Sequence, residues 1–366
     1  MLRSMAVVLL AAQVASACSI CGGSFATRTT LREKLAQSVV VVEGTLKNAK
    51  PNADDLGGTT EFHFGTTLKT TDKWRETKLV VLPKYYPTIG STPTRYMIFF
   101  ESTDDKLLMI HGVESTAALA EYLQASAKFA KPGPQLLAMV FTQLEHADAA
   151  VASEAFLEFA LANDADIAAA KKQYDPKKLR AWITAKDTPV ERVGVYAILL
   201  GLYGDSTTDA PAFRKWMIEE RFSTQLSGLI AGWISLDAKA GWANLNSILS
   251  DAKLPFTQRL SALSALRFLQ ATAGPAHRAD IVHACGQMVT DAEFADLIID
   301  DLRRWAWWDH TEKILASYTT TSPKILKRTI IRYALQCPEK PAAIFIAKVR
   351  AAEPELVKKV EDTLKP

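Results

Sequence analysis

The chain has 366 residues, of which 48% are apolar and 23% charged, and its formal net charge is +3. This composition excludes an intrinsically disordered chain, which would be less apolar and more strongly charged. With only 4 cysteines the chain is not a disulfide-dense scaffold, and its near-neutral charge gives no general reason to expect nucleic acid as a partner. The length suits two or three domains.

The first 17 residues have the pattern of a secretory signal peptide. Arg3 precedes an apolar run over 5–14, and the small residues 15–17 follow it. The run is shorter than the roughly 20 apolar residues that span a bilayer. We therefore predict an exported protein that begins at Cys18. It would lie in the periplasm or cell envelope, with or without a lipid anchor, or be secreted.

Two cysteines, Cys18 and Cys21, stand at the start of this mature chain. Acylation of Cys18, as in a bacterial lipoprotein, would give the only membrane attachment that the sequence suggests. A disulfide between Cys18 and Cys21 is the alternative in an oxidising compartment. The same C-x-x-C spacing also occurs in thiol-redox sites, whereas haem attachment would need His where Gly22 stands. No cofactor or metal is predicted.

Residues 18–115 are predicted to form a small β-rich domain. A capping box from Thr30 to Glu33 predicts a short helix that ends near Gln37. Short β-branched and aromatic runs then predict strands, and the Gly-, Asn- and Asp-rich stretch 48–59 predicts a long loop. The predicted strands are Ser38–Leu46, Thr60–Lys69, Lys78–Leu82, Arg95–Glu101 and Leu107–Ile110.

This order of elements resembles an OB-like barrel of the netrin or metalloprotease-inhibitor kind. The resemblance implies a module in which the amino group and thiol of a mature N-terminal cysteine, here Cys18, chelate the zinc of a protease. Inhibitors of that kind carry C-x-C near the terminus, whereas this chain has C-x-x-C.

Residues 116–366 are predicted to be helical throughout. Apolar helical stripes begin near residues 151, 190, 256, 294 and 325, so successive starts differ by 39, 66, 38 and 31 residues. The interval of 66 holds two units, with 222–236 as the missing one. Asp, Ser or Pro stands at each start, as is usual for a helix N-terminus. Units of this length are typical of helical-pair repeats, and the first two resemble HEAT repeats. An irregular helical bundle is the alternative.

Two features mark a candidate interaction patch in the helical segment. Trp305, Trp307 and Trp308 form a cluster in which the i, i+3 spacing puts Trp305 and Trp308 on one helix face. Lys324, Lys327, Arg328 and Arg332 form a basic stripe at helical spacing. Trp is enriched at interface hot spots, and a basic stripe suits an acidic partner. Core packing and a solvated face are the respective alternatives. Cys285 and Cys337 are predicted to be buried and structural.

The chain lacks the G-x-S-x-G, H-E-x-x-H, P-loop and G-x-G-x-x-G signatures, so no catalytic residue is predicted. The stretches CSICGG, TLREKLAQS, VVVVEGTL, VASEAFLEFA and ERVGVYAILLGLYGD resemble a group of exported proteins from planctomycete bacteria. We expect a non-catalytic exported scaffold that binds a protein partner through its helical repeats. The alternatives are a protease-inhibitor-like module and a C-x-x-C redox protein.

Overall fold

A computed structural model describes residues 28–52, 57–87, 94–319 and 321–364. The predicted signal peptide with Cys18 and Cys21 lies outside these residues. The chain is a mixed α+β protein, with a five-stranded antiparallel sheet followed by a many-helix region. It divides into two compact units, residues 1–175 and 176–366.

In its described residues, the first unit contains the sheet and five α-helices. These elements are α1 (Leu31–Gln37), β1 (Val40–Pro51), β2 (Gly58–Lys69), β3 (Leu79–Leu82), β4 (Arg95–Thr103), β5 (Lys106–Glu114), α2 (Ala117–Ser126), α3 (Pro134–Phe141), α4 (Ala149–Leu161) and α5 (Asp164–Ala169). The capping box predicted for α1 is present: Thr30 accepts from the Glu33 amide, and Glu33 accepts from the Thr30 amide. These two bonds explain why α1 begins at Leu31.

The strands are ordered β3-β2-β1-β4-β5, and every neighbouring pair is antiparallel. Alternate residues point to one side and form an apolar core, while Val41, Met97 and Phe99 are buried on the opposite side. This core consists of Val40, Val42, Leu46, Phe62, Leu82, Ile98, Phe100 and Leu107. The rings of Phe62, Phe64 and Phe100 meet there with centroids 5.6–6.1 Å apart. The β-branched and aromatic runs in the sequence were thus a sound guide to the strands.

The long loop predicted over 48–59 is shorter than expected. β1 continues to Pro51 and β2 starts at Gly58, with Lys50 paired to Thr59. The register shifts between Lys47 and Lys50, and Asn48 lies there with a positive φ of 51°. Asn tolerates this left-handed conformation, so a bulge takes up the polar residues that suggested a loop.

The second unit is helical. Its helices are α6 (Pro176–Thr184), α7 (Val190–Tyr203), α8 (Ser206–Trp216), α9 (Leu226–Leu236), α10 (Ala238–Ser250), α11 (Phe256–Met288), α12 (Ala295–Trp305), α13 (Thr311–Ala316), α14 (Lys324–Gln336), α15 (Lys340–Ala352) and α16 (Pro354–Asp362). The long helix α11 is kinked at Ala273, whose φ and ψ are −144° and 24°. Pro275 follows the kink.

The predicted repeat starts lie within two residues of helix starts, except in the unit 222–236, whose helix α9 begins at Leu226. Helices begin at Ala149, Val190, Phe256, Ala295 and Lys324. Asp148 caps the first of them by accepting from the amides of Ala150 and Val151, whereas Pro189, Pro255 and Pro323 directly precede three others. The Asp and Pro residues in the sequence therefore marked these helix starts correctly.

Candidate interaction surface

The tryptophan cluster lies at the C-terminal end of α12, and its geometry differs from the prediction. Trp305 and Trp308 do not share a helix face, because α12 ends at Trp305 and Ala306 is left-handed (φ 55°, ψ 41°). The amide of Trp307 then donates to the carbonyl of Leu302, which closes a Schellman-type cap. The chain turns away at this point, so the i, i+3 rule does not apply.

The partners of the three indoles follow from this turn. Trp305 and Trp307 face each other, with ring centroids 5.4 Å apart, and both side chains are half-buried. Trp308 packs edge-on against the buried Tyr333 at 4.9 Å. Trp308 is therefore part of the packing of α14, whereas Trp305 and Trp307 form a partly exposed aromatic pair.

An arginine from α11 holds the aromatic pair. The Arg278 guanidinium lies 5.0 Å from the ring centre of Trp307. It also binds Asp309 through two hydrogen bonds of 3.1 and 2.7 Å. A guanidinium that stacks on an indole and forms a bidentate pair is fixed in position. This arrangement stacks a guanidinium on one side of the half-buried Trp307.

A groove of about 710 Å³ lies beside Trp308. Its walls are residues 308–313 and 339–341. His310 donates from Nε2 to the carbonyl of Val282 at 2.7 Å, and Lys313 donates to the carbonyl of Gly286 at 2.5 Å. Both side chains are thereby held by the backbone of α11. The groove presents side chains of both signs of charge, with Glu312 and Glu339 beside Lys340.

The predicted basic stripe is divided by the structure into paired and exposed members. Lys327 binds Glu353 at 3.2 Å, and Arg332 lies 3.8 Å from Asp300. Lys324 and Arg328 are exposed, and no acidic partner is found for them in the described residues. The stripe is therefore neither wholly a solvated face nor wholly a set of ion pairs.

Three guanidinium groups converge on the Asp300 carboxylate, an arrangement that the sequence did not reveal. Arg303 lies 2.9 Å from it, Arg304 lies 2.6 Å from it, and Arg332 reaches it from α14. Burial alone would raise the pKa of Asp300, but the bond from Arg303 and the three positive charges hold that pKa below its usual 3.8. Two positive charges remain uncompensated there.

We expect Asp300→Asn to destabilise the protein at pH 7 by about 1–2 kcal/mol, since three guanidiniums lose their common counter-charge. A carboxyl whose pKa is depressed in the folded state stabilises that state above its unfolded pKa. The contribution disappears as the pH falls through the lower, folded value. Urea unfolding at pH 7 and at pH 3 should therefore show a difference between variant and wild type that shrinks in acid. A difference that stays constant with pH would contradict this assignment.

Cys285 and Cys337 are both buried and free of disulfides, as predicted. Burial raises the pKa of the Cys285 thiol. Within the described ranges no group of three or more His, Cys, Asp or Glu side chains is arranged to hold a metal ion. In the same part of the chain, no helix is long and apolar enough to cross a bilayer.

Comparisons with protein-family models, with curated proteins and with solved structures found no match.

Proposed function

We propose that this protein is a non-catalytic, exported scaffold that binds a protein partner through the helical unit. The observation that carries the proposal is the partly exposed Trp305–Trp307 pair, which Arg278 fixes in place. Tryptophan and arginine dominate binding hot spots because each offers a large, rigid contact surface. The adjoining groove of about 710 Å³ gives a partner segment room to dock.

We further propose that the helical unit is a HEAT-like solenoid. Several helices pack against the helix that lies two places further along the chain. These pairs are α7 and α9, α9 and α11, α12 and α14, α13 and α15, and α14 and α16. Contacts of this kind are expected of stacked helical pairs, in which alternate helices form parallel rows. Such an array would present the extended surface that suits a scaffold.

Three Arg–Asp ion pairs join α11 to the segment 291–309. Arg259 binds Asp291, Arg267 binds Asp301 and Arg278 binds Asp309. All three arginines lie on α11, so the pairs fix one packing interface between consecutive segments of the helical unit.

We propose an OB-like barrel for the sheet. Such a barrel is five-stranded and partly open. The edge strands β3 and β5 stand at opposite ends of the ladder order, yet they contact each other. The sheet is therefore curled around its core, and register shifts in β1 supply bends of the kind that curling requires.

Export and the relation to planctomycete exported proteins are proposed from the sequence. The intact mass of the mature protein tests export. Cleavage before Cys18 with an added diacylglycerol and fatty acid would mean a lipoprotein, whereas a loss of two hydrogen atoms would mean a Cys18–Cys21 disulfide formed by an oxidant of the compartment. Retention of residues 1–17 would overturn the proposal of export.

The binding proposal is tested by affinity capture with the full chain from an envelope extract of the source organism. We expect a stoichiometric partner that Trp307→Ala and Arg278→Ala each bind at least 30-fold more weakly, as a hot-spot loss of about 2 kcal/mol implies. Ile218→Ala is the matched control, since Ile218 is 86% exposed on a different helix end. If the two variants retain the same proteins as wild type, or if wild type retains none, the proposal is wrong.

A further inference from the structure

On the surface formed by α12 and α14, basic side chains outnumber the acidic side chains that pair with them. Asp300 is the common carboxylate of Arg303, Arg304 and Arg332. The Arg304 side chain is 66% exposed and retains guanidinium donors that face solvent. Because one carboxylate cannot satisfy three guanidiniums, the cluster has open donors for further anionic oxygens.

The charge excess continues along α14. The segment 324–336 contains four cationic side chains and no acidic one. Glu353 compensates Lys327, and on α12 the buried Asp301 is held by Arg267. The other acidic group on α12 is Asp296, one turn before Asp300. The surface therefore remains positive although the whole chain has a net charge of only +3.

The spacing of the cations indicates which anion fits. Lys324, Arg328 and Arg332 follow one another at intervals of four residues, which is about 6 Å along a helix axis. Alternate side chains of an extended chain point the same way and lie about 6.8 Å apart. A segment with carboxylates at alternate positions would thus place one carboxylate near each cation.

We infer that this surface binds an extended acidic segment of the partner protein, with Asp or Glu at alternate positions. The inference rests on the proposed function, because it specifies the chemistry of the proposed partner. Ile325, 62% exposed between Lys324 and Arg328, adds an apolar contact that a peptide side chain can cover. Binding to an anionic membrane ordinarily uses clusters of four to eight basic residues, more than the three exposed cations here, Arg304, Lys324 and Arg328.

The competing carboxylate gives the inference a distinctive consequence. Asp300 occupies the donors that an acidic segment would use, so Asp300→Asn should bind the segment more tightly while the fold becomes less stable. A role of the cluster in stability alone would not produce this opposite pair of effects. Charge reversal at Lys324 or Arg328, both exposed, should weaken binding with little effect on folding.

The test is a fluorescence-anisotropy titration of the full chain with labelled Glu-Ser-Glu-Ser-Glu at low ionic strength. We expect Lys324→Glu/Arg328→Glu to weaken binding at least tenfold and Asp300→Asn to strengthen it at least threefold. The control Lys358→Glu/Lys359→Glu changes net charge equally on the exposed side of α16 and should change binding less than twofold. The block peptide Glu-Glu-Glu-Ser-Ser should bind at least fivefold more weakly. Circular dichroism verifies that each variant is folded.

Several outcomes would overturn the inference. Equal weakening by both charge-reversal variants would indicate non-specific electrostatics, and equal affinity for the two peptides would remove the argument from spacing. Tighter, Arg328-dependent binding to anionic vesicles or heparin would assign the surface to a membrane or a polysaccharide. Failure of the peptide test while partner capture remains intact and dependent on Trp307 would refute this inference and not the proposed function.

Discussion

Gly201→Ala is expected to destabilise the helical unit by about 3 kcal/mol, although Gly→Ala inside a helix ordinarily stabilises by up to about 1 kcal/mol. α7 and α9 approach each other at glycines. A Cβ added to Gly201 would lie 2.6 Å from the carbonyl oxygen of Gly232 and closer still to its Cα. One at Gly228 would lie 2.5 Å from the Cα of Gly194. The obstructing atoms are backbone, so no side chain can move aside and the helices must separate.

Chemical unfolding followed by circular dichroism measures this effect, and the chain provides a matched control. A Cβ on Gly274 would meet only the flexible side chain of Gln270, at 3.8 Å, which is an ordinary contact. We therefore expect Gly274→Ala to stay within about 1 kcal/mol of wild type. If Gly201→Ala were as stable as Gly274→Ala, α7 and α9 would not cross at this distance.

The signal for this crossing was present in the sequence. Gly228 and Gly232 are four residues apart, and Gly194 and Gly201 are seven apart, so each pair lies on one helix face. Helix starts were predictable because Asp148, Pro189 and similar residues act locally. The pairing of glycines on α7 with those on α9 depends on which helices meet, and local patterns do not report that.

The interaction surface shows the same division between local and long-range information. The types of residue at 305–308 and 324–332 were sufficient to mark it as a candidate. Ala306 is left-handed and separates Trp308 from Trp305. A glycine is usual at such a helix end, so an alanine there does not indicate the turn. The convergence of arginines on Asp300 requires α14 to lie beside α12, which is a tertiary contact.

The grouping of elements in the first unit also depends on a long-range contact. The change from strands to helices was predicted at residue 115, and the last strand ends at Glu114. The compact unit nevertheless continues to Asp175. Arg32 in α1 binds Glu158 in α4 across 126 residues, through hydrogen bonds of 2.8 and 3.0 Å. Two charged residues that distant in sequence give no local sign that they are paired.

Breaking the buried Arg32–Glu158 pair is the second change that we expect to reduce stability strongly. The side chains of Arg32 and Glu158 are only 5% and 3% exposed, and nearby Glu154 has a pKa raised by burial. Arg32→Met would leave Glu158 without its counter-charge in this environment. We expect a loss of about 3–5 kcal/mol, as is usual when one partner of a buried ion pair is removed.

Arg32→Met/Glu158→Met should recover most of that loss, because two apolar side chains of similar size need no counter-charge. Arg75→Met is the matched control, since Arg75 pairs with Asp72 at an exposed site and should cost at most about 1 kcal/mol. Unfolding of the first unit, monitored by urea titration, distinguishes the cases. Protonation of the unpaired carboxylate at low pH should reduce the deficit of Arg32→Met, whereas a deficit caused by lost packing would be independent of pH. A double variant no more stable than Arg32→Met would mean that α1 is held to α4 by the shape of these side chains and not by their charge.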